Sequence, residues 1–142
     1  MTDFTSFTKE QIPSTLSSTT QTAPDRSYDL AMLAAEAADD RKGEEITLMK
    51  VGEVTVLADY FVVITGFSKV QVRAIAASIE DKILEKMNRR PLRSEGVSEG
   101  TWVLEDYGDV IVHILMPQER ERYDLEAFWG HAPRMSYAEI AS

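Results

Sequence analysis

Hydrophobic and polar positions fall into helical and strand-like periods from about residue 27 onward. In SYDLAMLAAEAADDRKG, Leu30, Leu33, Ala34 and Ala37 recur at helical spacing. Asp25 or Ser27 can cap the start, and Gly43 ends the run after Arg41 and Lys42 meet the negative helix end. Residues 45–51, EITLMKV, predict a strand, and residues 59–67, DYFVVITGF, a second. The second is apolar on both faces, which predicts a central strand covered on both sides. In SKVQVRAIAASIEDKILEKMNRR, Ser68 and Gln71 form an S-x-x-Q capping box. Val72, Ile75, Ala76, Ile79, Ile83 and Met87 follow as one stripe, opposite Arg73, Glu80, Lys82 and Glu85. Pro91 prevents continuation.

A linker, PLRSEGVSEG, leads to a hairpin with strands at 102–106 and 109–115, where Gly108 supplies the positive φ of a tight turn. Pro117 closes the second strand. QERERYDLEAFWG then predicts one or two short helices anchored by Tyr123, Leu125, Phe128 and Trp129. The expected order is α-β-β-α-β-β-α, which favours an α/β (α+β) single domain with a mixed sheet flanked by helices. Residues 1–26, rich in Ser, Thr, Gln and Pro without sustained period, bury too little apolar surface to offset their ordering entropy and are expected to be a flexible tail. The domain is expected over 27–130, with residues 131–142 a C-terminal tail.

Composition narrows the function. A chain of 142 residues fits one domain, and 44% hydrophobic with 27% charged residues is globular in balance. With no cysteine, thiolate chemistry and disulfides are excluded. No apolar run approaches the roughly 20 residues that span a bilayer, and the N-terminus lacks a basic start and apolar core, so a soluble cytoplasmic protein without a membrane partner is expected. The formal net charge is −9, almost all of it beyond residue 26. Nucleic-acid binding, including DNA, is disfavoured because its affinity comes from Lys and Arg. A basic protein partner is electrostatically suited to such a chain.

The strongest enzymatic reading starts at VITGFS, where a strand ending in Gly66 and a capped helix at Ser68 resemble a phosphate-accepting turn. Nucleotidyltransferases pair such a turn with two carboxylates that hold magnesium. Strand residues two apart share a face, but Asp106 and Asp109 lie three apart across the turn, and Glu105 and Asp106 point to opposite faces. No metal pair, G-x-G-x-x-G or Walker lysine is present. His113 alternates with Ile111 and Leu115 as a structural histidine would, His131 has no ligand partner at spacing, and Ser68 and Ser98 have no base in pattern. No catalytic residue, metal site or cofactor is expected. The hairpin remains. Trp102, Leu104 and Asp106 share one face, and Val103, Glu105 and Tyr107 the other. Trp102 and Tyr107 are residue types that become interface hot spots, and Glu105, Asp106 and Asp109 can meet Arg or Lys. Equally, Trp102 can be ordinary core and the acids a solvated turn.

Four blocks, ADYFVVITGFSKVQVRAIA, RPLRSEG, GTWVLEDYGDVIVHI and ERYDLEAFW, resemble in order and spacing the ribosomal silencing factors of the RsfS (iojap) family. The resemblance covers roughly residues 28–129. It implies a nucleotidyltransferase-like fold without enzymatic activity. It further implies binding to the large ribosomal subunit through ribosomal protein uL-fourteen, obstruction of small-subunit joining, and lowered translation when nutrients are scarce. By that analogy Trp102 and its strand belong to the docking surface. Leu104, Asp106, Tyr107 and Asp109 are added from position and chemistry, and Asp59 and Tyr60 from the matched ADY block. A homodimer is also reasonable by analogy. The competing expectation is a metal-dependent nucleotidyltransferase using Asp106 and Asp109.

Overall fold

In the computed structural model, which describes residues 23–141, the chain runs α1 (Ala23–Asp40), β1 (Glu44–Met49), a 3-10 turn (Val51–Glu53), β2 (Tyr60–Thr65) and α2 (Lys69–Met87). It continues through β3 (Arg93–Glu95), β4 (Trp102–Asp106), β5 (Val110–Leu115), α3 (Pro117–Tyr123), α4 (Leu125–Phe128), β6 (Arg134–Ser136) and α5 (Tyr137–Ala141). The strands form one mixed sheet in the order β3-β4-β5-β2-β1-β6. β2 and β5 pair in parallel and the other neighbours are antiparallel. All six residues of β2 are buried, as its two-sided apolar run requires of a central strand.

Alternation along the strands creates two unequal faces. On one, Leu48, Val62, Ile64, Val103, Val112 and Ile114 pack under α1 and α2, against Leu30, Ala34, Val72, Ile75, Ile79 and Ile83. On the other, Met49, Phe61, Val63 and Leu115 form a smaller core with Val51, Ala58 and Ala132, joined by half-buried Trp102, Ile111, Leu125 and Trp129. Each fully buried Val, Leu or Ile contributes about 1.5–3 kcal/mol of transfer free energy. The first face therefore dominates stability.

Several expectations change. Residues 1–22 of the expected N-terminal tail lie outside the described residues, but 23–26 belong to α1, so Ser27 is inside a helix and is not its cap. The linker contains the edge strand β3, which pairs with β4. Residues 131–142, expected as a tail, supply β6, which pairs with β1, and α5, whose Tyr137 and Ile140 pack on the larger core. These pieces are too short to show a period. α1 ends with Lys42, rather than Gly43, at positive φ (67°). Gly43 answers a different need, because a Cβ there would lie 3.0 Å from both the Ala38 carbonyl and Ile64.

Ser68 caps α2 as expected, accepting from the Gln71 amide at 3.0 Å. Gln71 departs from the box by accepting from the Phe67 amide (2.7 Å) and donating to the Arg41 and Lys42 carbonyls. It thereby ties the start of α2 to the loop after α1. The helix stops at Asn88 in the left-handed conformation, before Pro91 is reached.

Arg120 fixes α3 to the sheet. Its buried guanidinium donates to the Glu45 carbonyl (2.7 Å), Thr65 Oγ1 (2.9 Å) and Thr47 Oγ1 (3.2 Å), and pairs with Glu126. Glu45 sits at positive φ where the β1–β2 register shifts, so the guanidinium also holds a β-bulge. Arg120→Met strands Glu126 and three acceptors, and should cost about 3 kcal/mol, or roughly 10 °C in Tm by circular dichroism. Arg120→Lys should recover only part of that, since an ammonium cannot span four acceptors. A Met variant melting like the parent would show that the cluster contributes nothing.

Candidate docking surface

The hairpin forms with the strands expected, and its turn is closed by a Tyr107 N–H to Val110 carbonyl bond of 2.9 Å, with Gly108 at φ +93°. Pleating sends Trp102, Leu104 and Asp106 to the less covered face and Val103, Glu105 and Tyr107 under the helices. Trp102 and Leu104 are half-buried and, with Tyr123, line a groove of about 420 Å³ that also takes in Glu95, Glu99 and Glu119. The Trp102 ring packs on Tyr123 at 4.7 Å between centroids. Its Nε1–H donates to Nδ1 of His113 at 3.2 Å. An apolar floor with three carboxylates around it suits a partner that presents apolar and basic side chains together.

The other expected residues separate. Tyr107 and Tyr60 are 2% and 7% exposed and sit in the core under the helices, which corrects the expectation that they offer surface to a partner. Asp106 accepts from the Gly108 amide (2.8 Å) and pairs with Arg93 (3.2 Å), so it braces the turn and edge strand. Asp109 pairs with Arg89 at 2.7 Å and shares Ser27 with Asp59, each carboxylate lying 2.8 Å from Ser27 Oγ. Burial pushes the Asp109 carboxyl up, but its bonds from Arg89 and Ser27 outweigh this and hold it below the usual range. Asp106 and Asp109 are thus each committed to cations and donors of the fold. No group of three or more His, Cys, Asp or Glu among the described residues is placed to hold a metal. The VITGFS turn is equally explained. A Cβ on Gly66 would meet Val72 at 2.8 Å, and the α2 start is served by Ser68 and Gln71.

Buried titratable groups lie on both faces of the hairpin. Glu105, fully buried, accepts from Ser94 Oγ at 2.7 Å; burial and the facing Glu80 push it up to about 8, so it keeps its proton at neutral pH. Burial, then Glu105 and Glu80, push the Tyr107 hydroxyl up as well, keeping it a phenol. His113 is pushed down to about 4 by burial and stays neutral. The groove residues Glu95, Glu99 and Glu119 escaped the sequence reading, and Tyr123 entered it only as a helix anchor, since they come from two segments, β3–β4 and α3, that meet only in the fold. A larger groove of about 970 Å³ lies among α1, α2 and α5, lined by both acids and bases as well as Met32 and Leu33, and contains none of the expected site residues.

The sequence profile described as "Ribosomal silencing factor during starvation", RsfS, matches residues 24–142. The chain belongs to the RsfS family. It is 36% identical to the ribosomal silencing factor RsfS of Halalkalibacterium halodurans over 80% of this chain and 97% of that protein. It is 42% identical to the RsfS of Bacillus subtilis over 71% of this chain and 85% of that protein. The crystal structure of a protein from Chromobacterium violaceum superposes with a TM-score of 0.69 at 41% identity, covering 72% of this chain and 85% of the other. The RsfS names are those of a regulatory factor and not of an enzyme.

Glu105 and His113 give opposite pH signatures. Between about pH 4 and 6.5 the unfolded chain binds a proton at His113 that the folded one refuses, so this histidine lowers stability as pH falls. Between 4.5 and about 8 the folded chain holds a proton on Glu105 that the unfolded one releases, so stability falls as pH rises. Glu105→Gln, which keeps the shape of the protonated acid, should be increasingly more stable than the parent from pH 5 to 9. The gap in urea-unfolding free energy should reach the order of 3 kcal/mol. Parallel pH curves for the two proteins would refute a protonated Glu105.

Proposed function

We propose that this chain silences ribosomes by docking its Trp102 face on the large ribosomal subunit, through ribosomal protein uL-fourteen, and excluding the small subunit when nutrients are limiting. The observation that carries the reading is the floor of half-buried Trp102 and Leu104 with exposed Tyr123, ringed by Glu95, Glu99 and Glu119, on a chain of family RsfS and net charge −9. Large apolar side chains supply affinity at such a centre and surrounding acids supply orientation toward a basic protein. The same charge repels ribosomal RNA beside the site. The block is steric: a domain of this size is about 30 Å across, and parked at the subunit interface it needs no chemistry. The setting is the cytoplasm, where ribosomes are free to associate. A homodimer is compatible with the same open face, and a second copy would then compete with the ribosome for it.

Trp102→Ala tests the assignment. Because Trp102 is only half-buried, the variant should fold, yet lose at least about thirtyfold in affinity for purified large subunits in a sedimentation assay, as a central tryptophan hot spot does. It should also no longer shift gradients toward free subunits. Unchanged binding by the folded variant would place the interface elsewhere.

A further inference from the structure

Trp102 stands at the margin of the less covered face, and two contacts fix its ring: Tyr123 against it, and His113 accepting its Nε1–H at 3.2 Å. His113 is 5% exposed, with the edge of Phe61 at 4.9 Å between centroids. To accept at Nδ1, the imidazole must be neutral with its proton on Nε2. That Nε2 is buried and meets no hydrogen-bond partner among the described residues. An orphaned buried donor is destabilising, and Leu or Phe would fill the same space beside Phe61 without it. What histidine adds over those residues is the acceptor at the δ1 position, and Trp102 is what uses it.

We infer that His113 is a positioning residue of the docking face: by accepting the Trp102 N–H it turns the indole's polar atom inward and leaves a carbon edge for the partner to meet. The inference rests on the reading that the Trp102 face docks on the large subunit, and specifies the chemistry of what docks there. A partner matched to this surface presents an apolar patch opposite Trp102, with basic groups toward Glu95, Glu99 and Glu119. An indole released from His113 would give up that hydrogen bond and need a new acceptor for its N–H on binding. It would also lose rotamer freedom on binding.

Asn places Oδ1 where His places Nδ1, one bond beyond Cγ, so His113→Asn keeps the acceptor while His113→Leu removes it. The full-length protein and both variants, with Trp102→Ala, are titrated against purified large ribosomal subunits, and the Trp102 indole N–H is followed by ¹⁵N–¹H NMR. His113→Leu should move the indole proton away from its hydrogen-bonded shift and weaken binding about tenfold. His113→Asn should restore both toward the parent. If the Leu variant does not fold, His113→Phe, which keeps the aromatic contact without an acceptor, carries the same expectation. Parent-like binding by the Leu or Phe variant, or equal weakness in the Asn variant, would overturn the inference. If Trp102→Ala alone loses binding, the docking reading stands and the role of His113 falls. If the parent protein does not bind large subunits, both fall, and the indole shift then reports only how the free ring is held.

Discussion

The unequal covering of a single twisted sheet governs this molecule. Two long helices seal the face built from Val62, Ile64, Val112 and Ile114, and most of the buried apolar surface lies there. The opposite face receives only short α3 and α4 and the segment that follows, with Leu125, Trp129 and Ala132 over Phe61 and Leu115. That cover touches β4 at Trp102, through Tyr123. A strong core on one side lets the other side stay partly open, so Trp102 and Leu104 remain available without the fold depending on their complete burial.

The same asymmetry sorts the acids. Those nearest the hairpin turn are consumed by the fold: Asp106 by Gly108 and Arg93, Asp109 by Arg89 and Ser27, and Glu105 by protonation beneath α2. The carboxylates that reach the groove come from the β3–β4 segment and from α3, as Glu95, Glu99 and Glu119. Charge close to the turn is structural, and charge around the tryptophan lines the groove. A metal-dependent reaction at Asp106 and Asp109 is disfavoured on the same ground, because both are already paired with cations of the protein.

Arg120 ties the central sheet to the Trp102 groove. By fastening α3 to the bulge in β1 and the end of β2, it sets where Tyr123, the last residue of α3, lies against Trp102. Tyr123 and His113 then hold the indole from two directions. The Trp102 face is therefore prearranged by residues of the second core.

The elements with long or strict periods were legible in the amino-acid sequence. These include the α2 stripe with its Ser68 cap, the buried run of β2, the hairpin with Gly108, the mixed α/β class and the family blocks. Each is set by local spacing and by one or two residues of special backbone or capping chemistry. The start of α1, the three-residue strands β3 and β6, and α5 were not legible. Such short pieces have no period of their own and are stable only because a neighbouring strand or core completes them. Alternation correctly separated Trp102, Leu104 and Asp106 from Tyr107, but could not say which face the helices would cover, and so left Tyr107 as a surface candidate, while Tyr60 came in only with the matched ADY block. Nor could it pair Trp102 with His113 or with Tyr123. Those contacts require the hairpin register and the placement of α3 by Arg120, and both are decided only when distant segments meet.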